Sequence, residues 1–404
     1  MIKAREMASN IASDTEGADS RLEKVAESLP EISSNIPPGT RVCAIVNPLS
    51  GKKAGFTTNA QGVAEVTAAL EAVGINADIL ETEYPGHATI LAGAAIRDGY
   101  EVIIACGGDG TVSETAKALV GKKGVTLGIL PVGSANNVAH MTGVPFDLTE
   151  AARNLHTGPV KNIDVGRCNG VYFFETAGIG LDAALFPILN KVDKGEYIRL
   201  WDALTTLFRF RQRTVTLMLD KRVIRVKALV VLVANGPYWG YSVPLAPDAL
   251  IDDHKFDVVV FCNFSKTDFM RHILSAIFRR NKVSNGADTS EDNSLAHTNH
   301  PKVQTYRARQ VQVLTSDGTH NQSHAGVQLR PISRSNKNSL LNHTNHPKVR
   351  TYSARRVQVT TSKRRPWPVH ADALPRGRTP ALIELLPGAL RVITGSGTVN
   401  GPAL

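Results

Sequence analysis

The chain is predicted to fold as an α/β N-terminal domain on a parallel sheet, followed by a C-terminal antiparallel β-sandwich domain. Three observations predict it. From Arg41 to Pro131, short β-branched runs alternate with helix-patterned segments, the rhythm of a parallel sheet covered by helices. Three of those runs end in glycine-rich turns. After about Val160 the rhythm changes to recurring strand-like runs with few helices, which reads as a sandwich.

Taken in order, residues 1–39 are polar and acidic and close on Ile36-Pro37-Pro38-Gly39, which predicts a mobile leader with one short helix. The first twenty residues hold acids and no apolar block, unlike a secretory signal. The α/β domain is expected over 40–160. Its strands are Val42–Val46, Asn76–Thr82, Glu101–Cys106 and Thr126–Pro131, and its helices are Asn59–Gly74, His87–Gly99 and Val112–Gly121. The sandwich is expected over 161–395, with strands Val171–Ile179, Thr214–Leu219, Val223–Asn235, Lys255–Asn263 and Arg356–Ser362, before a tail at 396–404. Two helices interrupt those strands. Gly195–Phe210 aligns Trp201, Leu204 and Phe208, and Thr267–Arg280 aligns Phe269, Ile273 and Ile277. Packing against the sandwich accounts for both faces. Membrane contact by the Trp201 face, flanked by Arg209, Arg211 and Arg213, is the alternative.

Composition narrows the class. An apolar fraction of 42% and a charged fraction of 20% over 404 residues are ordinary for a globular protein of two domains. No apolar run approaches the length of a membrane span. Cys43, Cys106, Cys168 and Cys262 all lie in or beside apolar strand-like runs, which predicts buried reduced thiols and a cytoplasmic protein. The net charge of +10 is uneven. Residues 301–365 carry thirteen Lys or Arg against the single acid Asp317, and a second basic stretch runs over 199–227. No aromatic-rich or zinc-finger pattern accompanies the charge, so nucleic acid is not expected. Peripheral contact with an anionic membrane surface, or solvated strands, explains it. A homodimer stays open.

One stretch is duplicated. His297–Val313 and His343–Val359 differ at three of seventeen positions with an offset of 46 residues, a local duplication instead of a repeat array. A sandwich has room for one such strand in one place, so the other copy is expected in a surface extension or disordered loop. The His-x-x-His pairs precede proline in polar surroundings without cysteine, a weak basis for zinc.

The glycine turns carry the chemistry. Val102–Ala105 reads as a strand buried on both faces. Gly107 and Gly108 then turn tightly, and Asp109-Gly110-Thr111 lead into a helix. Such a turn aims backbone N–H groups and the positive helix end at one point, which suits a phosphate. Strand Val42–Val46 runs into Asn47-Pro48-Leu49-Ser50-Gly51-Lys52-Lys53, and strand Thr126–Pro131 into Val132-Gly133-Ser134-Ala135-Asn136-Asn137. Three such strand ends favour a phosphate cradle over three idle turns. None is GxxxxGK[ST], so no P-loop is present.

NPLSGKK, GGDGT and LPVGSANNVA, in this order, resemble the catalytic domain of diacylglycerol kinases, nearest to the soluble bacterial lipid kinases, with sphingosine and ceramide kinases as relatives. GGDGT alone is also shared with NAD kinases and phosphofructokinases, whose fold the α/β half is expected to resemble. Gly178–Ala183 (GIGLDA), Val233–Gly240 (VANGPYWG) and Pro247–Phe261 extend the resemblance and speak against a NAD kinase. It implies ATP and Mg²⁺ as cofactors, a lipid alcohol as substrate, and an active site in the cleft between the two domains of a cytoplasmic, peripherally membrane-associated enzyme.

The resemblance also implies site residues. Thr82, the Gly107–Ser113 turn (Gly107, Gly108, Asp109, Gly110, Thr111, Val112, Ser113), Gly133 and Ser134 would contact ATP. Asp109 would work with Mg²⁺ or with the attacking hydroxyl, or else cap the helix that follows it. Lys52 would be a phosphate cation, or else merely solvated, and Asn47 and Asn136 would tie the loops. Leu250 and Lys255 through their carbonyls, and Asp253 through its carboxylate, match a loop for a structural Mg²⁺, although His254 stands where the family usually has glycine. Near the C-terminus, Asp372-Ala373-Leu374 occupies the place of the family's Asp-Gly-Glu. Leu374, which cannot accept a proton, occupies the position of the family's general base, and Asp372 is kept as a partial substitute. Asp317-Gly318-Thr319 has the Asp-Gly pair but again no Glu. Two readings follow: an ATP-dependent lipid kinase acting on diacylglycerol or a related alcohol, and a pseudokinase that binds nucleotide or lipid without efficient turnover.

Overall fold

The computed structural model of the chain describes residues 34–53, 56–57, 62–193, 198–220, 222–239, 243–244, 246, 248–262, 303–308, 353–354, 356–361 and 366–396. The first lobe follows the alternation of its sequence. Strand β1 (Val42–Val46) is followed by the short hairpin β2 (Lys52–Lys53) and β3 (Phe56–Thr57), then helix α1 (Val63–Ala72) and β4 (Asp78–Glu81). Helix α2 (His87–Arg97), β5 (Val102–Gly107), α3 (Asp109–Leu119) and β6 (Thr126–Pro131) continue the pattern. These four longer strands are parallel in the order β4-β1-β5-β6, in register from Cys43 opposite both Asp78 and Ile103 to Gly107 opposite Pro131. Their β-branched residues are covered on both faces, so β1, β5 and β6 are buried along their whole length. Because the strands run parallel, all three glycine turns come out at one edge of the sheet.

Two short helices, α4 (Asn137–Thr142) and α5 (Leu148–Thr157), lead out of this lobe into β7 (Val160–Cys168). The second lobe then contains β8 (Val171–Phe173), β9 (Thr176–Gly180), α6 (Leu181–Asp193) and α7 (Arg199–Arg209). It continues with β10 (Arg213–Leu219), β11 (Arg222–Ala234), β12 (Tyr238–Trp239), β13 (Val243–Pro244) and β14 (Phe256–Cys262). The last strands are β15 (Val303–Ala308), β16 (Ser353–Ala354), β17 (Arg356–Thr360), β18 (Pro368–Ala371), β19 (Leu374–Arg378) and β20 (Ala381–Ile393). Pairing among them is antiparallel along β14-β11-β10-β17-β20 and through β11-β9-β18-β19. The layers close on one core that contains Phe173, Ile179, Val215, Val231, Phe256, Val357, Trp367 and Ile383. The fold is the expected α/β lobe plus antiparallel sandwich.

The lobes are joined by a ribbon. β7 leaves the first lobe and β20 returns to it, antiparallel to β7 from Cys168–Ile383 to Val160–Ile393, and Val392 of β20 pairs with Leu127 of β6. Two hydrogen-bonded strands resist bending far better than two single linkers. The join between the lobes is thereby made by sheet pairing.

Two elements differ from their expected form. Helix α6 was not anticipated, because Pro187 inside it breaks the sequence pattern of a helix. The duplicated stretch does not place one copy in the sheet and leave the other out. Phe261 to Val258 of β14 lie opposite Val303 to Tyr306 of the first copy, while Asp257 and Phe256 lie opposite Ser353 and Ala354 of the second. One strand position is thus shared by both copies. The predicted helix Thr267–Arg280, the leader up to residue 33, the histidine pairs, Asp317–Thr319 and the tail from 397 lie outside the described residues.

Candidate active site

Three turns meet at the C-terminal edge of the parallel sheet. The Asn47 side chain spans two of them: its Oδ1 accepts the Leu49 N–H at 3.0 Å, and its Nδ2 donates to Thr111 Oγ1 at 3.2 Å. Ser50 Oγ accepts the Gly108 N–H at 3.2 Å. Asn136 closes the third turn. Held at φ 52°, it accepts the Gly133 N–H at 3.1 Å and donates to the Gly133 carbonyl at 3.0 Å. Both asparagines therefore tie loops, as the sequence suggested. Glycine is required where the turns touch. A Cβ on Gly107 would lie 2.4 Å from Thr111 Cβ, and one on Gly133 would lie 2.3 Å from Gly108 Cα. Backbone meets backbone at Gly133 and the Thr111 side chain fills the space at Gly107, with no room for a side chain at either.

The remaining turn residues divide by burial. Thr82, at the end of β4, is half-buried and bonded through its N–H to Val46 O at 2.9 Å, and Ser134 is exposed. Lys52 is the first residue of β2. Thr111 and Ser113 are buried, and the Val112 side chain lies in the core while its N–H bonds to Gly108 O. Asp109, Gly110 and Thr111 are the first residues of α3, whose N–H groups have no acceptor within the helix. That end of the turn presents N–H groups without an intrahelical acceptor; Val112 and Ser113 support it from beneath.

Asp109 does not cap its own helix. Its Oδ1 accepts the N–H of Val138 at 2.9 Å, with the N–H of Asn137 beside it, so the carboxylate holds the start of α4 instead. From there a hydrogen-bonded path crosses to the second lobe. Asn137 Nδ2 donates to Glu175 Oε2 at 2.6 Å, and the Glu175 N–H donates to Asp372 Oδ1 at 3.0 Å. Asp372 also takes the N–H of Phe174 at 2.8 Å and of Thr176 at 3.3 Å. Burial pushes all three acids upward: Asp109 against the pull of the Val138 and Asn137 N–H groups, and Asp372 against its three N–H donors and Lys117. Glu175 rises furthest, because burial is reinforced by the charges of Asp109 and Asp372. Lys117 of α3 is pushed down by burial, opposed by Asp372.

The chain has counterparts among known proteins. The diacylglycerol kinase catalytic domain model matches residues 41–168, and the YegS C-terminal NAD kinase beta sandwich-like domain matches residues 176–327. A diacylglycerol kinase of Bacillus subtilis (strain 168) is 30% identical over 236 residues, 57% of this chain and 77% of the relative. The chain belongs to the diacylglycerol kinase family. A diacylglycerol kinase of Staphylococcus saprophyticus is 26% identical over 277 residues, 68% of this chain and 84% of the relative. The crystal structure of a diacylglycerol kinase from Bacillus anthracis str. Sterne shares the fold, with a TM-score of 0.56 at 22% identity, covering 88% of this chain and 97% of that one.

The β18–β19 hairpin carries the stretch Asp372-Ala373-Leu374 that the resemblance set against Asp-Gly-Glu. Asp372 and Ala373 both take positive φ, 45° and 60°, in a two-residue turn where the family resemblance expects glycine second. Leu374 follows, 48% exposed, with no group that accepts a proton. The expected metal loop is also distinctive. His254 adopts φ 61° in the glycine position, and its N–H and Nδ1 reach the two oxygens of the buried Asp164 at 2.6 and 2.8 Å. Asp253 accepts the Lys255 N–H at 3.1 Å and lies 3.4 Å from the Lys255 ammonium. A cation seated by Asp253 and the carbonyls of Leu250 and Lys255 would have to displace that ammonium.

Three further groups were passed over in the sequence. Glu175 sits as a lone acid in the apolar run Val171–Ile179, and a charge in a run read as buried is itself a signal. Asn137 and Lys117 gave no comparable signal. Behind the hairpin, buried His370 bonds Asp182 Oδ2 through Nε2 at 2.5 Å, and Trp239 Nε1 donates to Asp182 Oδ1 at 3.1 Å. A Cβ on Gly178 would lie 1.8 Å from Asp182 Oδ2, so β9, α6 and β18 lock together through this pair.

Proposed function

We propose that the chain is an ATP-dependent lipid kinase that phosphorylates the hydroxyl of diacylglycerol or a related lipid alcohol. The observation that carries this reading is the path from Asp109 through Asn137 and Glu175 to Asp372, which couples the glycine turns to the sandwich hairpin. Phosphoryl transfer asks a protein mainly for positioning and electrostatics. The N–H groups at the start of α3, the Ser134 and Thr82 hydroxyls and Lys52 hold phosphate oxygens. Asp109 orients α4 and presents its carboxylate at the turn mouth. Mg²⁺, when bound, offsets the phosphate charge. Carboxylate oxygens suit it, and among the described residues no three acids, histidines or cysteines gather to cage a metal. The ion therefore fits here beside Asp109 as part of the nucleotide complex, as ions held by one or two carboxylates and substrate phosphates do. Asp372, its carboxylate held by three backbone N–H groups, is the acid kept as a partial substitute for the family's base. The lipid acceptor makes this a peripheral membrane enzyme on the cytoplasmic side; among the described residues no helix is long and apolar enough to cross a membrane.

A second reading, nucleotide or lipid binding without efficient turnover, is favoured by one observation: Leu374 in the place of the family's base. Transfer of labelled phosphate from ATP to a panel of lipid alcohols separates the two. Wild type is expected to give Mg²⁺-dependent lipid product, and Ala373→Gly with Leu374→Glu to raise the rate by about 10²-fold or more, since a positioned base contributes about 10²–10⁴-fold. An inert wild type beside an active variant supports the second reading. No product from either overturns the first.

A further inference from the structure

Helix α7 is more apolar than the protein can use. Ala203 and Leu207 point inward and are buried, Leu207 joining Leu181, Leu229 and Val230 in a small core. The neighbouring arc carries Leu200, Trp201, Leu204 and Phe208, all exposed, with Trp201 at 69%. Ile198, just before the helix, is 82% exposed, and Leu189 of α6 is exposed as well. The polar arc holds Asp202, paired to Arg199 at 3.0 Å, with Thr205, Thr206 and Arg209. An apolar arc of which one half is buried and the other exposed is the pattern of a helix that docks on an apolar partner.

We infer that α7 and the adjoining β10–β11 hairpin form the surface by which this protein docks on an anionic bilayer. Charge selects the occupant. Residues 199–227 hold eight Lys or Arg against two acids. Of these, Arg209, Arg211, Arg225 and Lys227 are exposed, the last two on alternate positions of β11 opposite Thr216 and Thr214. Trp at a polar–apolar boundary, aliphatic side chains beyond it and a cationic rim match the interface of a negatively charged leaflet. A second copy fits less well, because a twofold interface would set this cationic rim against itself. Position gives the surface its purpose. α7 packs on α6, and α6 on β9 and the β18–β19 hairpin that carries Asp372, so the docked face lies one helix from the candidate site. The inference deepens the lipid-kinase reading but is tested without turnover.

The test is sedimentation of the full chain with phosphatidylcholine vesicles, with and without phosphatidylglycerol. Wild type is expected to sediment with the anionic vesicles and to be released by salt. Trp201→Glu with Leu204→Glu is expected to bind at least tenfold more weakly. Asn76→Glu with Thr157→Glu, the same charge change on exposed positions of the first lobe, is expected to bind like wild type. Trp201→Ala with Leu204→Ala, checked by thermal melting, covers the case in which the charged variant does not fold. Equal binding by all variants, or no binding by wild type, overturns the inference. So does a wild-type dimer that the variants dissociate, which would make this face a contact between copies. Phosphorylation of detergent-dispersed lipid is expected to be unchanged in these variants, so a failed kinase assay and a failed docking assay are told apart.

Discussion

Glu175 is the residue at which burial and charge conflict most. It is buried between two other acids, and its carboxylate accepts from Asn137 Nδ2. Its pKa in the fold lies well above the ordinary glutamate value, so the stability it contributes is full below the unfolded pKa and is lost as pH rises through the folded one. Glu175→Gln keeps an acceptor for Asn137 and removes the buried charge. Its melting temperature is expected to exceed that of wild type at about pH 8, with the gap closing towards about pH 5, as calorimetry would read. A gap independent of pH would contradict the burial argument. At this scale the sequence was informative unevenly. GGDGT marked Asp109, and Asn47 and Asn136 were recognisable as loop ties. The partner of Asp109 was not, because the helix it caps begins 28 residues later and meets it only through the packing of β5 beside β6.

Among the elements, the glycine-ended strands were legible because burial on both faces demands β-branched runs and backbone contact demands glycine. The duplicated stretch was not, since two nearly identical copies give no basis for choosing which fills the sheet. Both fill it. Tyr306 of the first copy lies opposite Val258 and Ser353 of the second opposite Asp257, the register that one continuous copy would take. Deleting residues 307–352 joins Tyr306 directly to Ser353 and restores a single uninterrupted copy. The shortened chain is expected to fold with unchanged kinase behaviour and a melting temperature no lower than wild type. The deletion removes a loop-closure cost on the order of 3 kcal/mol. Loss of cooperative melting would show that the intervening segment is needed for the fold.

For the whole molecule, two strands matter most. β7 and β20 run side by side from one lobe to the other, and the hydrogen-bonded path from Asp109 to Asp372 crosses the same junction. The two-lobe division was legible as a change of rhythm near Val160. The ribbon was not, because its return strand lies more than two hundred residues after its outgoing one. In the proposed kinase, main-chain amides at the mouths of the parallel strands grip a triphosphate. Amide hydrogen exchange with and without Mg²⁺ and a non-hydrolysable ATP analogue reads those amides directly. Slowed exchange over Gly108–Thr111 and Gly133–Val138 is expected; unchanged exchange in both turns at saturating nucleotide would contradict it.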